Sequence, residues 1–504
     1  MRPVKVGSCP LCLVGLLLMG GGAWAGEGRS QPLTLTAVGA PRQLPERILG
    51  ASAEPLIEHL IDDPRKIAAI KQTAPAVLRF PGGSQANYYD WRTGLLSFPA
   101  RSNSSAYMKF WAAIAPKIAR GFPNGVRMEE YAPFAREVGA DVILVPNLET
   151  SSVQEQTAWF QQLAAAGALP KLIELGNEFY IAMGGDPAVM RQWPDALTSM
   201  GVMHRYESAL RPIVGPGAKF AVQSAASAFW VDPRARGPFP RRMLQWDADL
   251  QPADWFEAVT VHLYPFPRML AQQPGGGTPE GLFRLLMGRG DEGVDRVLMD
   301  VARRLPGKEI WITEWNARGG EAWDPQRPDL VTPAISAHVV ARTTLAFLRH
   351  PAVTRALYFM LHLGGSKPFL AYLPDGAGGF RPLPETVMVE WFDHAANGGA
   401  TFQRLVEAGA EPQRSGPGSP DRYREVEGGL FKVQGRVTVI LQNPTGMARR
   451  YDPTQGGTRP TPSRIEVLAT PDLADPRKEA AAVVTPDPAQ PVDLPPYSIA
   501  RLIW

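Results

Sequence analysis

EIWITEWN (Glu309–Asn316) starts as an apolar run and closes on a carboxylate, an indole and an amide. An unbroken apolar stretch is the pattern of a strand buried on both faces, as in a parallel sheet; a half-exposed strand would alternate. Seven other runs share that character: RILGASA (Arg47–Ala53), AVLRF (Ala76–Phe80), DVILVPN (Asp141–Asn147), KLIELG (Lys171–Gly176), KFAVQS (Lys219–Ser224), AVTVHLY (Ala258–Tyr264) and RALYFML (Arg355–Leu361). Between them, apolar residues recur at helical spacing over Pro55–Lys71, Met128–Val138, Val153–Ala166, Asp195–Pro212, Asp291–Leu305 and Thr332–Leu348. Eight strands alternating with helices over residues 46–397 predict an α/β fold closed as a TIM (β/α)8 barrel. A doubly wound open sheet would carry a glycine fingerprint after its first strand, and none follows RILGASA.

Helical spacing stops near Gly398. Residues 398–504 hold short β-type segments between Gly- and Pro-rich turns: GGLFKVQG (Gly428–Gly435), VTVILQN (Val437–Asn443), RIEVLAT (Arg464–Thr470), EAAAVVT (Glu479–Thr485) and YSIARLIW (Tyr497–Trp504). They predict a C-terminal antiparallel β-sandwich. Residues 26–45 contain the alternating PLTLTAV (Pro32–Val38), expected to add a strand to that sandwich. The long segments Phe229–Met243, Pro265–Gly281, Ala317–Val331 and Gly364–Pro382 all follow barrel strands, so they are expected as loops walling the catalytic face.

The composition fits this plan: 504 residues, 45% hydrophobic, 20% charged, formal net charge +3. It excludes a disordered tail protein, a coiled coil and a strongly basic nucleic-acid binder. The 49 glycines and 50 prolines are scattered between apolar runs and read as turns. Residues 1–25 read as a signal peptide: Arg2 and Lys5, the apolar run Leu11–Ala25, and the small-x-small site Ala23-Trp24-Ala25. That run is too short and glycine-rich for a membrane span. Both cysteines, Cys9 and Cys12, lie within residues 1–25, so the exported chain is expected to lack disulfides and thiolate chemistry.

The ends of the predicted strands carry the chemistry. Strand four closes with Gly176-Asn177-Glu178 and strand seven with Thr313-Glu314-Trp315-Asn316. Three strands apart around the ring, the two glutamates can face each other across the barrel mouth. Carboxyl groups about 5 Å apart suit a retaining glycosidase, one as acid and then base, the other as nucleophile; their surroundings must push the two pKa values apart. Asn177 is placed to hydrogen-bond a sugar hydroxyl. His262 and Tyr264, two residues apart on strand six, point to the same side; His262 reads as a sugar contact or a core histidine, and so does His362 at the end of strand eight. Asn147 reads as a pocket residue or a turn former. Trp91, Trp111, Trp230, Trp315 and Tyr180 offer aromatic planes to sugar faces, and of these Trp315 is tied to the site by sequence. No G-x-S-x-G, H-E-x-x-H or G-x-x-x-x-G-K-[ST] motif occurs, and the seven histidines are dispersed, so neither a metal nor a cofactor is expected.

The segment LRFPGGSQANYYDWRTG (Leu78–Gly94), then GNE, VHLYP (Val261–Pro265) and TEWN (Thr313–Asn316), resemble the landmark motifs of α-L-arabinofuranosidases. The ending LPPYSIARLIW (Leu494–Trp504) is similar to the last strands of their sandwich. The resemblance implies Glu178 as acid/base and Glu314 as nucleophile. It also implies a contact from Asn177 to the hydroxyl beside the anomeric carbon, support of the nucleophile by Arg79, a subsite wall at Tyr264, and sugar binding by Glu54 at the pocket floor. Ser84 stands where that family usually carries a sugar-contacting asparagine. The stretch ILGASAEP (Ile48–Pro55) is similar to heparanase-type β-glucuronidases, whose acidic substrates would call on Arg268, Arg318 or Lys367. The expected partner is a carbohydrate. The rival from another class is a non-catalytic sugar-binding protein on the same scaffold, which has no need for a glutamate pair.

Overall fold

Each of the eight apolar runs forms a strand, and the strands close into one parallel barrel. They are β1 (Leu49–Ser52), β2 (Val77–Phe80), β3 (Asp141–Leu144), β4 (Leu172–Glu174), β5 (Lys219–Gln223), β6 (Ala258–Leu263), β7 (Glu309–Trp315) and β8 (Val353–Phe359), paired in chain order with β8 returning to β1. The computed structural model describes residues 30–504 except 58–59, 99–105, 122, 182–186, 231–236, 318–329, 364–369, 454–460, 471 and 475–490. The fold is a TIM barrel with a C-terminal antiparallel β-rich domain.

That domain has a six-stranded sheet containing Leu35–Gln43, Thr401–Glu407, Glu427–Val433, Arg436–Asn443, Ser498–Ile503 and Arg464–Ala469, in that order. A second sheet joins Gln31–Leu33, Arg449–Tyr451 and Val492–Leu494. Leu33, Tyr451, Val492 and Leu494 of the small sheet share a core with Leu405, Leu430, Leu441, Ile465 and Leu502 of the large one. The N-terminal strand runs antiparallel to Thr401–Glu407. Its Arg42 donates to the carbonyls of Leu348 and Val353, both 2.7 Å away, which fastens this strand to the barrel.

Several local expectations shift. The helix expected over Pro55–Lys71 spans only Pro64–Thr73, where Asp63 caps the first turn and Pro64 sits at N1. The helix expected over Asp291–Leu305 is the second half of a longer element, Pro279–Gly288 and Val294–Arg304, joined by a π-turn at Arg289–Gly293. That turn aims Asp291 at the buried helix Pro333–Arg349, which lies between barrel and sandwich. There Arg342 donates to Glu427 (2.5 Å), Asp291 (3.2 Å) and Gln442 (3.0 Å), while Arg349 and Arg404 also reach Glu427. Three guanidiniums outweigh burial and hold the Glu427 carboxyl down at about 2. The segments expected as loops contain the helix Pro267–Ala271, the first half of the helix Pro238–Asp249 and the hairpin Leu370–Pro374/Phe380–Pro382. The signal peptide and EAAAVVT lie outside the described residues. Among those residues no helix is long and apolar enough to cross a membrane.

Candidate active site

Inside the barrel Val77, Ile143, Leu172, Ala221, Ala258, Trp311 and Leu357, one side chain from each of seven strands, form a buried apolar cluster. Side chains alternate along a strand, so the next inward position is two residues on. There the lining turns polar, with Arg79 on β2, Glu174 on β4 and Thr313 on β7, all fully buried. Arg79 binds three acceptors at once: Nε to Glu174 Oε2 (2.8 Å), Nη1 to Glu314 Oε1 (2.6 Å) and Nη2 to Asn177 Oδ1 (2.8 Å). Burial opposes its charge, but Glu174 and Glu314 raise its pKa overall. Burial by itself would raise Glu174, and Arg79 and His262 more than offset that, lowering it.

The turn after β4 presents Asn177 and Glu178. Gly176 has φ +81°, and a Cβ there would lie 2.3 Å from the Phe179 ring. Phe179 is stacked on Trp193 (centroids 3.7 Å apart), and its N–H donates to Gln223 Oε1 (2.9 Å). Arg242 ties down the carbonyls of Phe179 and Tyr180, each at 2.8 Å. Glu178 takes φ +53°, a conformation that a non-glycine residue holds only when its surroundings impose it. Asn87 clamps Asn177 from the side, donating to its carbonyl (2.8 Å) and accepting from its N–H (3.2 Å). Asn177 Nδ2 is buried with no hydrogen-bond partner among the described residues.

Glu314 reaches the same space because β7 is bulged. Val261 pairs with Ile312 and His262 with Glu314, so Thr313 is an extra residue, and both Thr313 and Glu314 face inward. Tyr264 donates its hydroxyl to Glu314 Oε2 at 2.7 Å. His262 Nδ1 lies 2.7 Å from Glu178 Oε1, and its Nε2 lies 3.1 Å from Thr313 Oγ1. Burial would lower the His262 pKa, but Glu314 and Glu178 prevail and push it up to about 10. One oxygen each of Glu178 and Glu314 and one nitrogen of His262 fall within 4.8 Å of one another. A metal ion would need a neutral imidazole; here both ring nitrogens face acceptors and the ring favours its cation, so the trio is arranged for proton chemistry.

Glu54 follows β1 and is buried, accepting from Ser52 Oγ (3.0 Å) and from Gln85 Nε2. Burial, with help from Glu314, pushes it up to about 8. The Pro-Gly-Gly turn lies over it: Gly82 has φ +88°, and a Cβ there would meet Glu54 Oε1 at 2.5 Å.

The structure thus links Arg79, Asn177, Glu178, His262, Tyr264 and Glu314, through Glu174 and Thr313, into one hydrogen-bonded group, while Glu54 is bonded separately to Ser52 and Gln85. Trp315 departs from its expectation. The bulge that turns Glu314 inward turns Trp315 outward, where it packs edge-on against Phe347 (5.0 Å) and Tyr358 (5.5 Å) behind the barrel. His362 opens a two-residue strand paired with Leu370 and is buried beside the end of β8. Asn147 is a turn former, accepting from the N–H groups of Glu149 (3.1 Å) and Thr150 (2.9 Å). Tyr180 is no stacking platform: it is buried, with its hydroxyl 3.3 Å from Glu178 Oε1. The side chains of Trp111 and Trp230, and residues Arg318 and Lys367, lie outside the described set; Arg268 is exposed on the helix Pro267–Ala271. Sequence reasoning missed Glu174, Thr313, Gln85 and Asn87. The signal for Glu174 was a carboxylate inside an apolar strand, which burial requires to be paired.

Solved structures share this architecture over nearly the whole chain. A GH51 arabinofuranosidase from Xanthomonas axonopodis pv. citri superposes with a TM-score of 0.63 at 16% identity, covering 94% of this chain and 99% of its own. The chain has the fold of the arabinofuranosidases. A family 51 α-L-arabinofuranosidase from Bifidobacterium longum gives 0.60 at 14% identity, with 93% and 97% covered. A family 44 xyloglucanase from Paenibacillus polymyxa gives 0.58 at 11%, with 94% and 99% covered. No protein-family model matches the sequence, and no curated protein matches it.

Proposed function

We propose that this chain is an exported retaining glycoside hydrolase acting on α-L-arabinofuranosides or a closely similar neutral sugar. The observation that carries the reaction is the pair Glu178 and Glu314, with oxygens within 4.8 Å and different partners. Arg79 and Tyr264 each donate to one oxygen of Glu314, a donor set that suits an anionic nucleophile. Glu178 reaches toward the mouth, with 15% of its side chain exposed. In the first step Glu314 attacks the anomeric carbon while Glu178 gives its proton to the departing oxygen. In the second, Glu178 takes a proton from water, which displaces Glu314. Asn177 Nδ2, lacking a partner among the described residues, has a sugar hydroxyl as its natural acceptor.

The charge around the pair favours a neutral sugar. The two cations of the described site are already engaged, Arg79 by Glu174 and Glu314 and His262 by Glu178, so neither is left to hold a further carboxylate. A uronate would add such a carboxylate. Two of the structures quoted above are arabinofuranosidases by name. Export rests on the leader-like pattern of residues 1–25.

The test is turnover of aryl α-L-arabinofuranoside, β-D-glucuronide, β-D-xyloside, β-D-glucoside and β-D-galactoside by the protein and by Glu314→Ala. Turnover of the arabinofuranoside, lost in the variant, is expected. Preference for the glucuronide would overturn the sugar. Silence on every aryl glycoside and on arabinan would overturn the hydrolase reading in favour of a sugar-binding protein.

A further inference from the structure

Behind the acid/base candidate a chain of hydrogen bonds runs from β4 across the barrel and back. Thr313 Oγ1 lies 3.0 Å from Glu174 Oε1, His262 Nε2 lies 3.1 Å from Thr313 Oγ1, and His262 Nδ1 lies 2.7 Å from Glu178 Oε1. Its direction follows from donor inventories. Glu174 already binds Arg79 and is an acceptor, so the Thr313 hydroxyl proton points at Glu174. The Thr313 oxygen is then left to accept, and Nε2 of His262 must carry a proton. The groups facing the imidazole are Glu174 (3.7 Å) and Glu178 from the β4 end, Glu314 (3.7 Å) and Thr313 from β7. Arg79 and Tyr264 lie beyond them on Glu314. All the charged groups in contact with the ring are carboxylates, so Nδ1 keeps its proton too and donates to Glu178 Oε1. Tyr180 lies 3.3 Å from that same oxygen.

We infer that Thr313, oriented by Glu174, is a positioning residue for the acid/base: it holds His262 as a double donor, which occupies Oε1 of Glu178 and confines the transferable proton to Oε2. This rests on the reading of Glu178 as acid/base and adds to it a division of labour between its two oxygens. Without the Thr313 oxygen, Nε2 loses its acceptor and the imidazole can become neutral. Nδ1 can then accept the Glu178 proton, turning it away from the leaving group.

The experiment compares Thr313→Val, which keeps the shape and removes the hydroxyl, with Thr313→Ser, which restores it. Each is assayed across pH on a nitrophenyl glycoside and on an alkyl glycoside of the same sugar. Thr313→Val should lose at least tenfold more kcat/KM on the alkyl glycoside than on the nitrophenyl one. It should also move the basic limb upward, because the cation beside Glu178 is weakened. Thr313→Ser should return the basic limb to its wild-type place. A Val variant with equal losses on both substrates and an unmoved limb would overturn the inference and leave Thr313 a packing residue. Glu178→Gln, run in parallel, separates the two levels. If it spares the alkyl glycoside, the acid/base reading itself fails; if it does not and Thr313→Val is still insensitive to leaving group, only the positioning role fails.

Discussion

Nη1 of Arg79 lies 2.6 Å from Oε1 of Glu314, and the other two arms of the same guanidinium hold Glu174 and Asn177. One rigid fork therefore fixes the nucleophile candidate, the amide proposed to contact the sugar and the carboxylate behind His262. Lysine presents a point charge without that fork. Arg79→Lys should lower kcat about 10²–10³-fold, the scale of removing one preorganised donor. Arg79→Met would take the guanidinium away from two buried carboxylates, and denaturant melts should show a stability loss of about 3–5 kcal/mol. Wild-type turnover in Arg79→Lys would contradict this account.

Gly176 links fold to function. Alanine there must adopt φ +81° and push on Phe179, which stacks on Trp193. The cost is about 1–3 kcal/mol for the backbone alone, and the turn that carries Glu178 should shift with it. Gly176→Ala is expected to reduce kcat by more than tenfold while circular dichroism keeps its α/β signature. Unaltered kinetics would show that the turn tolerates a side chain.

Acid should loosen the join between barrel and sandwich. Glu427 has its folded pKa depressed to about 2, below the ordinary carboxylate value. Its contribution is thus present above that ordinary value and lost as pH falls from there toward 2. Thermal melts should decline between roughly pH 5 and pH 3. Glu427→Gln should be less stable at pH 7 by about 3–5 kcal/mol, since Arg342, Arg349 and Arg404 lose their common counter-ion. That deficit should shrink in acid; a deficit independent of pH would contradict the assignment.

Glu54 works in the opposite sense. Its folded pKa is raised to about 8, so its protonated form stabilises the fold at low pH, and the contribution is lost as pH rises from the ordinary carboxylate range through 8. Glu54→Gln cannot ionise. Its melting temperature should fall less than that of the wild type between pH 5 and pH 9, and parallel curves would rule out a buried, late-titrating Glu54.

Much of this was legible in the sequence because burial writes a strong pattern. EIWITEW (Glu309–Trp315) is β7 from its first residue to its last, since a parallel strand covered on both faces tolerates little but apolar side chains until it leaves the barrel. Period-two alternation placed His262 and Tyr264 on one side, where they meet Glu178 and Glu314. The same alternation misleads at Thr313. A bulge is a property of two strands in register, invisible in either alone, and it is why Trp315 packs behind the barrel. Gln85 and Asn87 were illegible for a similar reason: the short 3-10 helix Ser84–Tyr88 brings them to Glu54 and Asn177 across the fold. The cluster around Arg342 needed the π-turn at Arg289–Gly293, whose residues carry no apolar period to announce it.

The central claim is double displacement by Glu178 and Glu314, and the most direct test is the anomeric configuration of the first-formed product. Proton NMR spectra collected in the first minutes of hydrolysis of the aryl glycoside that the protein turns over, before mutarotation, report it. The approach of the two carboxylates, with oxygens within 4.8 Å of each other, predicts release of the sugar with the configuration of the substrate. A first-formed product of opposite configuration would require a water between the two groups and would contradict Glu314 as the nucleophile.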